Sequence, residues 1–116
     1  MKVFTDISQG KKLAEILPIE SADMGYIPSA EDDDGNILYT ADFKSEYIFD
    51  EDCIPCWSLG ALLDVIPYPT LGKHANETWS CASWVEKVNP YFVEGCDSPI
   101  NACYEMIIKL NELKML

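Results

Sequence analysis

No stretch of this chain comes near the run of about 18 consecutive apolar residues that a membrane-spanning helix needs, which sets aside a helical membrane protein. The opening Met1-Lys2-Val3-Phe4-Thr5-Asp6-Ile7-Ser8-Gln9-Gly10-Lys11-Lys12 is equally short of the unbroken apolar segment of a signal peptide, so a cytoplasmic setting is expected. Positive charge is scarce as well: Lys and Arg number eight against 20 Asp and Glu, a formal charge of −12. So acidic a chain repels phosphate backbones and anionic lipid headgroups alike, and neither direct nucleic-acid binding nor membrane binding is expected.

Motifs of nucleotide and metalloprotease chemistry are also lacking: there is no GxGxxG, no P-loop and no HExxH. The one histidine, His74, sits beside Lys73 in a predicted hairpin turn with no Ser or Cys nucleophile in a recognisable local motif, and reads as a surface residue. The five cysteines, Cys53, Cys56, Cys81, Cys96 and Cys103, are an odd number. In a reducing compartment most of them are expected as free thiols packed like small hydrophobes.

What the chain does have is interior. Of its 116 residues 48% are hydrophobic, among them three Trp, six Tyr and four Phe. That suffices for one domain spanning 1–116 without metal or disulfide support, and no cofactor is expected.

The periodicities place the elements. Leu13, Ile16 and Leu17 follow Ser8, a predicted N-cap, and Pro18 ends the run, giving a short helix over residues 8–17. Residues 25–52 read as a loop-rich acidic segment, in which Asp34-Gly35 can close a hairpin between Tyr26-Ile27 and Ile37-Leu38-Tyr39. A second extended piece is predicted at Tyr47-Ile48-Phe49. Leu59, Leu62, Leu63 and Ile66 then recur at i, i+3, i+4 and i+7, predicting a helix near 55–66 with Pro55 in its first turn.

From Tyr68 onward the period changes. Thr70–Lys73 and Thr78–Trp84 are rich in β-formers around a turn at Asn76, and Tyr91-Phe92-Val93 adds a third strand. Alternation points Trp79 and Cys81 inward; Trp84, on the opposite face, marks an interaction surface if exposed. Last, Ser98 caps and Pro99 opens a helix over 99–114 whose stripe runs through Ile100, Cys103, Met106, Ile107, Leu110 and Leu113. The fold class expected is α+β: a three- or four-stranded antiparallel sheet, the two main helices packed on one face and the short N-terminal helix at an edge.

Three constellations could carry chemistry. Cys53-Ile54-Pro55-Cys56 is a CxxC pair entering the predicted helix, where the dipole favours a thiolate; Asp50, Glu51 and Asp52 just before it push the other way. Zinc would need the same pair plus Cys81, Cys96, Cys103 or His74, and no second close pair exists. Asp32, Asp34, Gly35 and Ile37 match positions 3, 5, 6 and 8 of a calcium loop, but positions 1 and 12 are Ala30 and Ala41, so no metal site is expected there. Asp32, Asp33 and Asp34 are read instead as a solvated acidic face available to a partner, with a DNA-mimicking surface as a variant that requires two carboxylate rows at phosphate-like spacing.

Ser8-Gln9-Gly10-Lys11-Lys12-Leu13 with Ser21-Ala22-Asp23-Met24, Ile54-Pro55-Cys56-Trp57-Ser58-Leu59 with Leu62-Leu63, and Asn101-Ala102-Cys103-Tyr104-Glu105-Met106 with Leu110 together resemble a family of small proteins from phages and integrated mobile elements of Bacteroides-type gut bacteria. The likeness covers both ends and the middle of the chain. It implies a genomic setting and a bacterial cytosol, carries no assigned activity, and implies that the position of Cys56 is often Ala. The function expected is a non-enzymatic accessory or protein-interaction protein of a phage or mobile element, with an unknown protein partner and with Trp84, Asp32, Asp33 and Asp34 as interaction residues. A thiol redox protein using Cys53 and Cys56 is the alternative.

Overall fold

The computed structural model describes residues 2–43, 52–86 and 88–116. Its first helix, α1, is Ile7–Ala14, one residue earlier than the periodicity predicts and capped by Asp6 in place of Ser8. Asp6 Oδ1 accepts from Gln9 N at 2.7 Å while Gln9 Oε1 accepts from Asp6 N at 3.1 Å, a reciprocal capping box. Burial at the cap raises the Asp6 pKa, but the Gln9 amide and Lys2 outweigh it and hold the carboxyl below its usual value.

Two three-stranded antiparallel sheets follow, so the fold is α+β. The first comprises β1 (Met24–Glu31), β2 (Ile37–Phe43) and β3 (Ile54–Cys56) in the order β2-β1-β3. The second comprises β4 (Pro69–Lys73), β5 (Trp79–Ser83) and β6 (Tyr91–Cys96) in that order. Where one sheet was expected there are two, because β1 takes Ile54–Cys56 as its second neighbour and pairs with no strand of the 69–96 region. The stretch expected to be loop-rich accordingly holds the two longest strands. Tyr47-Ile48-Phe49, with Asp50 and Glu51 after it, lies outside the described residues.

The second main helix, α2, is Leu59–Val65 and starts four residues later than predicted, since Pro55 is inside β3. Ser58 is its N-cap: the hydroxyl accepts from Ala61 N at 3.3 Å and donates to Asp23 Oδ2, while Ser58 N donates to Asp23 Oδ1 at 2.9 Å. The last helix, α3, is Pro99–Glu112, with Ser98 as N-cap and Pro99 in its first turn as the sequence predicts.

One face of the second sheet carries α3; α2 lies against α3, and α1 packs on β3. Between them Trp57, Leu13, Leu62, Ile100, Met106, Ile107 and Leu110 are fully buried. Cys81 joins that interior and Trp79 packs against it, as the alternation of β5 predicts. Two residues of β6 oppose the single Ser80 where the β5–β6 register shifts between Trp79 and Cys81. That bulge places Gly95 at φ 76°, a conformation costly for any side-chain-bearing residue.

Thr5 ties the amino-terminal segment to both β1 and β3. Its N–H donates to Trp57 O at 3.0 Å and its hydroxyl accepts from Trp57 N at 3.0 Å. Its carbonyl accepts from the Tyr26 hydroxyl at 2.6 Å and from the Cys56 thiol at 3.4 Å. Burial and the neighbouring Cys56 push the Tyr26 pKa up to about 12, so the phenol stays a donor.

Candidate functional site

Cys56 ends β3, opposite Met24 of β1, and is completely buried. Cys53 precedes the strand and is half-buried. With α2 beginning at Leu59, the pair lies before and within β3 and does not enter a helix. Burial pushes the Cys56 pKa up, against opposing hydrogen bonds from Thr5 and Tyr26, so the thiol stays protonated at neutral pH. It donates to Thr5 O and accepts from the Thr5 hydroxyl at 3.6 Å, a packing role that knits the amino terminus to β3.

The other three cysteines gather around the base of α3. Cys81 on β5 and Cys103 on α3 are both completely buried, and the neighbouring Cys81 thiol together with burial pushes the Cys103 pKa up. Cys96, at the end of β6, is half-buried and also raised, by burial first and then by Glu105 and Asp97. Among the described residues no three His, Cys, Asp or Glu side chains form a set that could hold a metal ion. His74 lies at the start of the β4–β5 turn, its N–H donating to Thr78 O at 2.8 Å.

Beside the start of α3 is a surface notch of about 350 Å³ lined by Lys2, Lys73, Glu77, Trp79, Asp97 and Asn101, which sequence reasoning did not single out. Each of its lysines has a carboxylate of its own. Lys2 pairs with Asp6 at 2.9 Å and Lys73 with Glu77 at 2.9 Å while lying over the Trp79 ring. Asp97, the remaining carboxylate of the lining, accepts from Asn101 Nδ2 at 2.6 Å, and no nucleophile is set against a base.

The β1–β2 hairpin is different in kind. Burial along β1 falls from Met24 and Gly25, which are buried, through Tyr26 and Ile27 to full exposure, and every residue from 28 to 38 is exposed. β2 packs chiefly on β1. The hairpin therefore leaves the core as an arm, in a molecule 52 Å long against 31 and 22 Å across. Directly opposed residues share a face, so Ile37, Tyr39, Ala41 and Phe43 of β2 lie with Tyr26 and Pro28 of β1. On that face Ile37 is 50% and Phe43 67% exposed, with Leu38 48% exposed on the other.

Asp32, Asp33 and Asp34 stand together at the tip of this arm. Asp32 builds the turn: Oδ1 accepts from Asp34 N at 3.0 Å and Asn36 N at 2.8 Å, and Oδ2 accepts from Asn36 Nδ2 at 3.1 Å. Those Asn36 hydrogen bonds hold its pKa below the usual value. Gly35, at φ 81°, lets the chain return, so Asp34-Gly35 does turn the hairpin, within a five-residue loop instead of a two-residue one. Trp84 directly follows β5 of the other sheet; it is 40% exposed and its indole donates to Thr70 Oγ1 at 3.1 Å, so tip acids and tryptophan form no common patch on one element.

Sequence reading located the tip but missed the apolar face behind it. The signal was present in the alternation of Ile37, Tyr39, Ala41 and Phe43. No family model, curated protein or solved structure matches the chain. No helix among the described residues is long and apolar enough to cross a membrane.

Proposed function

We propose that this chain is a non-enzymatic protein-interaction module, an accessory protein of a phage or mobile element in the setting its resemblance implies, and that the β1–β2 arm is the part it offers to a partner. The observation that carries this reading is the exposure of Ile37, Leu38 and Phe43 on a hairpin whose outer half buries nothing within the described residues. Ordering such a hairpin costs roughly 1–2 kcal/mol of backbone entropy per residue, and a two-stranded hairpin alone is marginal in water. Apolar side chains held out on it gain their burial from another molecule.

Photo-crosslinking tests the reading. A benzophenone side chain is placed at Leu38 or at Phe43, and at Glu20 as a control, and each protein is irradiated in a lysate of Bacteroides-type gut bacteria. Discrete adducts from the two arm positions and none from position 20 are expected. Adducts that are absent, or equally strong from all three positions, would count against the arm as the interaction element.

A further inference from the structure

We infer that the outer edge of β2 takes an extended, basic peptide segment by strand addition, its apolar side chains meeting Ile37, Tyr39 and Phe43 and its cationic ones meeting the acids of the arm. The inference rests on the arm being the interaction element and names the chemistry of what it binds.

The edge comes first. In the order β2-β1-β3, β2 has one strand neighbour among the described residues. Exposed edges are ordinarily blunted by lysine, proline or a bulge on the edge strand, or by a covering element. β2, Ile37-Leu38-Tyr39-Thr40-Ala41-Asp42-Phe43, contains neither lysine nor proline. The one irregularity of the hairpin lies in β1, where Ser29 is extra, and not on the edge strand; its hydroxyl donates to Leu38 O at 3.1 Å and accepts from Thr40 Oγ1 at 3.0 Å, which ties the inner side of β2 to β1. Seven residues of extended backbone suit an added strand, whose main-chain hydrogen bonds give affinity while alternate side chains give selectivity.

Charge decides what is added. Residues 24–43 carry Glu31, Asp32, Asp33, Asp34 and Asp42 and no Lys, Arg or His. Asp32 is engaged by the turn, while Glu31, Asp33, Asp34 and Asp42 are all exposed. A second copy of this arm would bring the same acids into the same space, within a Debye length of about 10 Å at 0.1 M salt. Like charge on both partners repels, so self-pairing through β2 is disfavoured, and a segment alternating cationic and apolar residues is complementary on both counts.

The test uses the full chain and a fluorescent octapeptide of alternating Lys and Val. Binding is followed by anisotropy, and amide hydrogen exchange is followed by NMR. Expected are slowed exchange of β2 amides on binding, at least tenfold weaker binding of a Glu–Val octapeptide, and a similar loss when the four central residues of the Lys–Val peptide are N-methylated. Asp33→Lys with Asp34→Lys should weaken binding about tenfold, as should Ile37→Ser with Phe43→Ser; all four side chains are exposed, so neither variant disturbs the interior. Binding indifferent to N-methylation, equal binding of the acidic peptide, outward β2 amides already protected in the free protein, or dimerisation through β2 would each overturn the inference. If the arm gives specific adducts in the lysate and yet the Lys–Val peptide does not bind, strand addition of a basic segment is wrong and the interaction reading survives. Failure of both removes both.

Discussion

At the scale of single residues, two effects collide at Gly10. In mid-helix, Gly is less favourable than Ala by roughly 0.5–1 kcal/mol, so propensity alone makes Gly10→Ala stabilising. A Cβ there would lie 2.2 Å from Pro55 O, a backbone atom of β3 that cannot swing away. Overpacking of this kind costs about 1–3 kcal/mol, which exceeds the propensity gain. Gly10→Ala should therefore lower the free energy of unfolding by about 1–2 kcal/mol, read from the guanidinium midpoint with an unchanged slope. A variant more stable than the parent would mean that α1 does not seat on β3 this closely. On the same strand the amino-terminal segment also covers Cys56, which is completely buried and donates to Thr5 O.

Among the elements, α2 shows what sequence could and could not convey. Leu59, Leu62 and Ile66 announce its length, and Ser98-Pro99 announces the start of α3 within a residue. The start of α2 was illegible because Pro55 fits a helical first turn and an edge strand equally well. What decides between them is Asp23, 35 residues away, whose carboxylate receives both Ser58 N and Ser58 Oγ and so fixes the cap at Ser58. Long-range partners of this kind leave no periodic trace. Two sheets in place of one have the same origin, since β1 chooses Ile54–Cys56 through a register that no local pattern encodes. The candidate site was half legible: the acids of the turn are a local signal, whereas the exposure of Ile37 and Phe43 depends on where the core stops.

The Asp23–Ser58 pairing is testable in its own right. Hydrogen bonds to a charged acceptor are worth about 1.5–3 kcal/mol, and loss of an N-cap about 1 kcal/mol. Asp23→Ala should cost about 2 kcal/mol and Ser58→Ala about 1–2 kcal/mol in denaturant unfolding. Because the two share one interaction, the double variant should lose clearly less than the sum. Strict additivity would show that the aspartate does not support the cap.

For the molecule as a whole, the division is between a core that holds itself together and an arm that does not help it. The fully buried residues come from Thr5, α1, α2, α3, β5 and the chain around β3, none from the outer part of β1 or from β2. Replacing residues 29–38 by Asn-Gly between Pro28 and Tyr39, which are opposed in the ladder, closes a two-residue turn at a natural pairing point. Every residue removed is exposed, and the ordering entropy released offsets the ladder bonds lost. The shortened chain should therefore unfold within about 1 kcal/mol of the parent, a melting shift of no more than about 4–8 °C, while losing its crosslinks and its affinity for the Lys–Val peptide. A loss of several kcal/mol would place the arm inside the folding unit, and retained binding would place the interaction elsewhere. Near-parental stability together with lost binding is the separation of roles that an interaction module requires, and it is the pair of outcomes by which the proposed role of the arm stands or falls.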